Sequence, residues 1–485
     1  MPLNLASPGI VVREVDLTVG RVDTASDKVG AIVGPFAKGA VDLPILVETE
    51  QDLLDNFGKP YSADKHYEYW MVASSYLAYG GPLRVVRADD DDLKNAFSGT
   101  AGSIKIKSTE HYNDLGYDGS TITGVTVAAR NPGSWANQLK VAIIDDLADQ
   151  VLTFSSLPSN IQVGSGITQT IPPNTVVAGS GTTSLLTGYF KGIVTQVDTT
   201  NKKVSVKILE SVDTSGSAAG ISTEVSYQPN GIYKFGNTAV TVHNNSGIIT
   251  GSGSPTGNAD WFDQQSIQLT NSTINWNNIA ERPGTSNFAS SRDSRFDEVH
   301  VVVIDDTGEV TGNAGTILEK HLGLSKAKDG LYSLGSPSYW RKYIYNNSNN
   351  IFAGGAPAGI VTTSLGIGTA NFAQFADGGW DQNAQGIRYS GIGVTTLTLT
   401  GGKNYDGNEN EEAAGAFQVT LAGLAAGYQL FEDDNLNSAD FILMGSANHT
   451  KETCQSLANK IISVAEIRKD AVAFVSPNRG SFLSD

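Results

Sequence analysis

Apolar positions fall into three patterns along this chain. The first is the opening stretch "SPGIVVREVDLTVG" (7–20). There Val11, Val15, Leu17 and Val19 alternate with Ile10, Val12, Glu14 and Asp16, the period-two signal of a strand. Pro8-Gly9 stands in front of it and polar, charged sequence behind it, so residues 1–20 read as an extended arm. Chain ends fray unless tied down, so the pattern asks what the arm pairs with.

The second pattern mixes strand and helix periods. "VGAIVGPFAKG" reads as a strand running into a loop, and "TEQDLLDNFG" as a helix with Thr49 as N-cap and Gly58 as its stop. "DKHYEYWMVASSYLAYGG" predicts a longer helix with Tyr69, Trp70, Ala73, Tyr76 and Leu77 on one face, closed by Gly80-Gly81. "PLRVVRA" is the next strand. The same character returns late in the chain. "FDEVHVVVIDD" is a buried-strand run, "AGTILEKHLG" is expected to contain a helix, and "SPSYWRKYIYNN" is a second short helix. "DFILMG", "KETCQSLANKIISVAEIRK" and "DAVAFVSP" then spell strand, helix, strand, with Leu457, Ile461, Val464, Ala465 and Arg468 along one side of the helix. A parallel pair with a right-handed crossover is expected there. A parallel sheet is normally covered on both faces, so an end at Asp485 reads as a truncation within the sheet.

The third pattern lies between. From about residue 100 to 290 helix periodicity is scarce, and short alternating runs ("SIKIKS", "GVTVAAR", "QLKVAII") are separated by Gly, Asn and Pro. Between Val151 and Thr200 the charged residues are Lys191 and Asp198 alone. "NNSGIITGSGSPTGNAD" (244–260) reads as an exposed loop. The expectation is an α/β core domain, a mixed sheet flanked by helices, with inserted β-rich domains and an extended N-terminal arm. The boundaries are 1–20 for the arm, 21–97 and 291–485 for the two parts of the core, and 98–290 for the insertion.

Composition narrows the function classes. A length of 485 residues with 40% apolar and 17% charged residues supports a folded protein with a sizeable core, on the order of three domains. The 53 glycines favour turns and β-structure. A formal net charge of −17 repels phosphate backbones, which argues against nucleic acid as a partner. The single cysteine, Cys454, excludes an intrachain disulfide and fits a reducing compartment. The N-terminus lacks the basic region and apolar core of a secretory signal, and no apolar run approaches a membrane span. Synthesis in a cytoplasm, and residence there or in a particle assembled there, is expected.

Each candidate for chemistry has an ordinary reading that outweighs it. "GPFAKGAV" (34–41) has the Gly-x4-Gly spacing of a phosphate-binding loop, with "VHVVVIDD" as a conceivable metal-binding strand. That motif needs Lys and then Ser or Thr after the second Gly. Gly39 is followed by Ala40 and Val41, and the run-plus-Asp-Asp pattern recurs in "VAIIDD" (141–146). A Gly/Pro turn and ordinary strand ends are favoured. "GGKNYDGNENEE" could offer Asp406, Glu409, Glu411 and Glu412 to calcium, but does not match an EF-hand loop. It reads as an acidic solvated turn, as does "DDDD" at 89–92. The histidines at 66, 111, 243, 300, 321 and 449 form no i,i+3 or i,i+4 pair, and no Gly-x-Ser-x-Gly elbow is present. Cys454 reads as a small buried residue, with His449 on another face. The tryptophans at 70, 135, 261, 276, 340 and 380 are dispersed and read as anchors of separate cores. No cofactor and no metal is expected.

Four stretches in order, "SPGIVVRE", "VGAIVGPFAKGAVDLPILVETEQDLLDNFGKP", "YWMVASSYLAYGGPLRVVRA" and "ARNPGSWANQLKVAI", resemble the tail sheath proteins of contractile-tailed bacteriophages. "FDEVHVVVIDDTGEVTG" and "SPSYWRKYIYNN" resemble the longer sheath proteins of T-even-like phages. The likeness is continuous from Ser7 to about Ile143 and patchy beyond. It implies a non-enzymatic structural subunit. Copies would form hexameric rings stacked around a tail tube and shorten to drive the tube through the host envelope. Baseplate and tail terminator proteins would be further partners, and the virion the place of residence after assembly in the host cytoplasm. It also implies that Ile10, Val11, Val12, Arg13, Glu14, Val15, Asp16 and Leu17 add a strand to a neighbouring subunit's sheet, and that a C-terminal, tube-facing domain with a second arm is missing from this sequence. A sheath subunit of a bacteriocin or secretion machine is the related alternative. An α/β nucleotide-binding enzyme is the distant one.

Overall fold

The computed structural model describes residues 28–170, 188–213, 235–363, 366–367, 370–371, 378–433, 437–446 and 449–478. The arm residues Ile10–Leu17 lie outside them.

The two ends of the described chain meet in one sheet. Its central strand β1 (Gly30–Gly34) is buried along its whole length and lies parallel to β3 (Leu83–Arg87) on one side and β22 (Phe441–Leu443) on the other. β23 (Val472–Phe474) continues the parallel order beyond β22, and β2 (Ile45–Val47) pairs antiparallel with β3 at the opposite edge. The Asp440 carboxylate accepts the Val29 N–H at 2.8 Å, closing the sheet across 411 positions of sequence. Helices cover both faces, as a parallel sheet requires. On one face α1 (Glu50–Phe57) and α2 (His66–Ala78) bury Leu53, Phe57, Trp70, Ala73 and Leu77 against Ile32, Leu83 and Val85. On the other, α6 (Leu421–Gln429) and α7 (Lys451–Arg468) bury Leu424, Tyr428, Leu457, Ile461 and Val464 against Ala31, Val33, Val86 and Ile442.

The local signals account for these helices. Thr49 caps α1 in a reciprocal box with Asp52, and Gly58 closes it at φ 81°. The expected face of α7 is the buried one, with Cys454 added to it. The strand–helix–strand unit of β22, α7 and β23 is parallel, as the pattern predicts.

Between these ends the strands pair antiparallel. A seven-stranded sheet has the order β12-β11-β8-β9-β10-β7-β13. It is built from β7 (Gln150–Phe154), β8 (Gly166–Thr170), β9 (Gly188–Asp198), β10 (Lys203–Asp213), β11 (Val240–His243), β12 (Ile249–Gly253) and β13 (Pro255–Asp260). A four-stranded sheet runs β17-β16-β6-β21, with β6 (Leu139–Asp145), β16 (Glu298–Asp305), β17 (Thr316–Ser325) and β21 (Val394–Thr398). Here β6 pairs with both β16 and β21, so strand pairing crosses residue 290. A three-stranded sheet of β4 (Phe97–Gly99), β5 (Val125–Ala129) and β18 (Ile351–Ala353) packs beside α5 (Trp340–Asn347). Two hairpins, β14 (Ser266–Gln268) with β15 (Thr273–Asn275) and β19 (Gly366–Ile367) with β20 (Ala370–Asn371), two short α-helices, α3 (Thr109–Asp114) and α4 (Asn287–Ser290), and four single-turn 3-10 helices complete the described elements.

Four expectations are corrected. "AGTILEKHLG" is strand β17, because β16 is buried on both faces and β17 supplies its second antiparallel partner, with Val301 opposite His321 and Ile304 opposite Ile317. Helix propensity is a weak term that pairing of this extent overrides. The stretch 244–260 is not a loop but includes β12 and β13. Gly251 marks a close backbone approach, since a Cβ there would meet the Ser159 carbonyl oxygen at 2.3 Å. "SIKIKS" joins no ladder. The buried side chain of Asn95 takes the place of a neighbouring strand, accepting the Ile106 N–H at 2.6 Å and donating to the Ile106 and Ala129 carbonyls. The tryptophans converge: Trp135, Trp340 and Trp380 share one core, Trp261 and Trp276 another.

The four- and seven-stranded sheets meet over a buried cluster of charges. Lys326 and Asp145 pair at 2.7 Å, both side chains fully buried. Lys207 bridges Asp146 at 2.7 Å and Asp149 at 3.0 Å, and Arg282 pairs with Asp260 at 2.7 Å. Burial pushes the Asp149 carboxyl up, and Asp146 adds to that rise against the opposing pull of Lys207. Burial alone would lower the Lys207 ammonium, but Asp146 and Asp149 outweigh it and hold it above its ordinary value.

Candidate functional site

The sequence candidates for chemistry are built into the framework. In the 34–41 loop the N–H groups of Lys38 and Val41 already donate to the carbonyls of Phe57 and Lys107. Arg87, fully buried, donates to Gly39 O at 3.1 Å and Pro132 O at 2.6 Å, which ties this loop to the 131–135 turn. A phosphate cradle needs convergent open N–H groups, and these are committed. Asp305 accepts the N–H groups of Gly308, Val310 and Thr311, and Asp306 binds Thr270 and Lys140, so both order the ends of their sheet.

The acidic stretches behave likewise. Asp406 accepts the Asn408 N–H, Glu411 the Ser134 hydroxyl at 2.5 Å, and Glu412 the Ser62 hydroxyl. Among the described residues no three His, Cys, Asp or Glu side chains converge as a metal site. Asp89 is not merely solvated: it pairs with Lys105 at 2.8 Å and Lys107 at 2.5 Å. Hydrogen bonds from these two lysines hold its carboxyl below the usual carboxylate range, although burial opposes them.

Cys454 and His449 do not form a nucleophile–base pair. The His449 ring bonds the Tyr69 hydroxyl at 2.7 Å, while Cys454 Sγ accepts from Asn478, whose amide also reaches the His449 carbonyl. These residues sit at the carboxyl ends of β1, β22 and β23, where an open α/β sheet would place a ligand. The Tyr69 ring fills that position, lying 2.1 Å from where a Gly445 Cβ would stand. His66, fully buried, accepts the Tyr61 N–H on Nδ1 and stacks on Phe417 at 4.2 Å. Burial, with Arg87 nearby, lowers its pKa to about 3. No sequence spacing linked Tyr69 to His449 or His66 to Phe417; these contacts come from the fold alone.

What the first sheet leaves open is an edge and part of a face. β23 is its last strand, and among the described residues no strand pairs with its outer side. Val472 N–H donates to Asp440 O, and Phe474 O accepts from Met444 N–H. Strand alternation therefore turns the N–H and C=O of Ala473 outward. The α7 face of β22 and β23 is covered, with Ile442 and Ala473 packed into its core. The opposite face carries Phe441, Val472 and Phe474. There α2 covers β1 and β3 but stops short, and Val472 and Phe474 stay 54% and 52% exposed. The rings of Phe441 and Phe474 meet at 5.6 Å, Tyr76 flanks Phe441 at 6.4 Å, and the Lys28 ammonium lies 5.3 Å over the Phe441 ring. An exposed edge beside an exposed apolar face is a template for strand addition.

The sequence is similar to known proteins over part of its length. It is 35% identical over 102 residues to the tail sheath protein of Enterobacteria phage T4, a stretch that covers 21% of this chain and 15% of that protein. It is 32% identical over 118 residues to the tail sheath protein of Salmonella phage ViI, covering 24% of this chain and 18% of that protein. The matches thus span less than a fifth of either relative. Among solved structures, a sheath tail protein from Listeria innocua aligns with 48% of this chain and 34% of its own, at 11% identity and a TM-score of 0.16, too loose a superposition to support a statement about the fold. No family model matches the chain.

Proposed function

We propose that this protein is a structural subunit of a contractile phage tail sheath. It polymerises as stacked hexameric rings around a tail tube and contracts to drive the tube through the host envelope. The identity shared with two phage tail sheath proteins is the observation that carries this reading. Its partners are then further copies of itself, the tube, and baseplate and terminator proteins. Its place is the virion, reached by assembly in the host cytoplasm. The work of contraction is stored in a metastable assembly, so no nucleotide is hydrolysed, which fits a 34–41 loop whose N–H groups and buried Arg87 serve backbone carbonyls. Residues 98–290 are the outward-protruding part.

Within that reading, residues Ile10–Leu17 of one subunit add a strand to a sheet of a neighbour, and the open edge of β23 has the chemistry of a receiver. Eight residues at about 3.3 Å each reach roughly 26 Å. Each backbone hydrogen bond contributes only about 0.5–1.5 kcal/mol net, so a lattice gains from many arms acting together. Negative-stain microscopy and sedimentation of the chain, with and without residues 1–19, test this. Rings or tubes from the whole chain and monomers from the shortened one are expected. ATP hydrolysis abolished by changing Gly39 or Asp305 would overturn the structural reading.

A further inference from the structure

The charge cluster at the junction holds more than an ion pair needs. Asp149, just before β7, lies beside the middle of β10. Its N–H donates to Val206 O at 2.9 Å, and its Oδ2 accepts the Ile208 N–H at 2.7 Å. Lys207 stands between those two residues of β10, and its fully buried Nζ reaches the same carboxyl group, 3.0 Å from Oδ1. Asp146 is a second carboxylate on that nitrogen, at 2.7 Å. The other Asp146 oxygen, Oδ1, is buried and takes part in no hydrogen bond among the described residues, with Arg282 Nη1 at 3.6 Å. The Phe296 ring closes the site, its centre 4.7 Å from Nζ. An amine, a carboxyl group and a second carboxylate able to carry protons thus meet in a site walled off from solvent.

Lys326 shows an ordinary buried ion pair in the same cluster. Its ammonium meets Asp145 at 2.7 Å and the carbonyls of Phe296 and Ser390 at 3.0 and 3.1 Å, which occupies three donors. Asp145 in turn accepts the N–H groups of Ile392 and Gly393. Lys207 has no such carbonyl partner among the described residues; it faces two carboxylates and a ring.

We propose that Lys207 and Asp149 condense into an isopeptide bond, with Asp146 relaying protons and water leaving. The ion pair is the reactant. The ammonium hands one proton through Asp146 to Asp149, leaving a neutral amine beside a neutral acid. The nitrogen attacks Asp149 Cγ and a C–N bond forms, while the Ile208 N–H supports the charge on Oδ2. Asp146 then moves a second proton from the nitrogen to the Oδ1 hydroxyl, the C–O bond breaks and water departs. Of the three ammonium protons one stays on the amide and two leave in the water, and Asp146 ends as it began. Burial raises the Asp149 carboxyl, which favours the acid form that the attack needs. Two charges that are costly to bury disappear, and fixed neighbours replace chemical activation by proximity. The bond ties β10 to the connection between β6 and β7. This inference does not rest on the sheath reading.

Mass spectrometry of the whole folded chain, denatured for measurement, tests it. A chain lighter than its sequence by one water is expected, with tryptic peptide 141–191 joined to 204–234 and cleavage after Lys207 lost. Cleavage after Lys326 should continue. The full sequence mass with normal cleavage after Lys207 overturns the proposal in the parent itself, so it stays falsifiable if a variant fails to fold. Lys207→Arg keeps the charge but forms no amide, and should show the sequence mass. A water loss that persists in it overturns the proposal, because a cyclic imide at another aspartate then accounts for it. Asp146→Asn keeps both reacting groups and should slow the linkage on the order of 100-fold, read as the joined fraction in chains sampled at intervals after synthesis. Linkage as fast as in the parent overturns the relay.

Discussion

The five-stranded mixed sheet and the junction beneath the seven-stranded sheet are stabilised by opposite means. In the first, the centre is apolar throughout: β1 is buried in all five positions and four helices press Leu, Ile, Val and aromatic side chains onto it. Its loose end, β23, is where that covering runs out. In the second, the chain passes from β6 to β7 through Asp145, Asp146 and Asp149, and three buried cations answer those carboxylates and Asp260. Apolar burial is non-directional and tolerates an open side. A buried charge is stable only when its partner is in place. The contrast suits a sheet with an open edge among the described residues and a junction that has to keep one geometry.

The largest blow to this contrast is a charge removed from the junction. Lys207→Met leaves Asp146 and Asp149 buried beside each other with only the longer contacts of Arg282, at 3.6 and 3.5 Å, and a loss of about 3–5 kcal/mol is expected in urea unfolding. Adding Asp149→Asn should recover part of that loss, because one of the two carboxylates left to Arg282 alone is gone. Equal stability of parent and single variant would show that the cluster does not hold the sheets together. Next, Ile461→Ala cuts a buried contact of α7 and should cost about 3 kcal/mol. Amide exchange should quicken in the first sheet and stay unchanged in β9 and β10. If both regions loosen alike, the two are one cooperative unit.

A third test uses pH. His66 is held neutral, with its folded value lowered to about 3 from an unfolded value near 6.5. The stability it contributes is present above the unfolded value. It is lost as pH falls from there towards the folded value, at up to about 1.4 kcal/mol per pH unit. His66→Gln should flatten that limb of the stability profile, and an unchanged slope would assign acid sensitivity elsewhere. The smallest effect expected is Thr49→Ala, which removes the α1 N-cap and should cost about 1 kcal/mol in the same unfolding measurement.

Much of the first sheet was legible because its signals are local. Thr49 and Gly58 mark α1, the spacing of Leu457, Ile461 and Val464 marks the buried side of α7, and strand–helix–strand order marks a parallel pair. The middle of the chain was legible as β-rich but not strand by strand. "TILEKHLGLS" has helix-forming residues, yet β16 needs a partner on that edge. The glycines of "GSGSPTG" mark turns in most sequences, and here Gly251 and Gly253 of β12 admit the close approach of Pro158 and Ser159. The candidate site was legible only as a question about an arm. The run "VAIIDD" showed where carboxylates stand but not which cation meets them, since Lys207 is 61 positions from Asp146 and Lys326 is 181 from Asp145.

The sequence by itself determined the helix caps, the apolar faces, the acidic surface and the absence of a phosphate-loop Lys after Gly39, because each depends on residues within a turn or two of one another. Only the tertiary structure decided that β1 and β22 are neighbours, that Tyr69 occupies the carboxyl end of the sheet, and that Phe441, Val472 and Phe474 form one uncovered face beside Lys28. Contacts across hundreds of residues depend on which surfaces meet after folding, and no local period encodes that meeting.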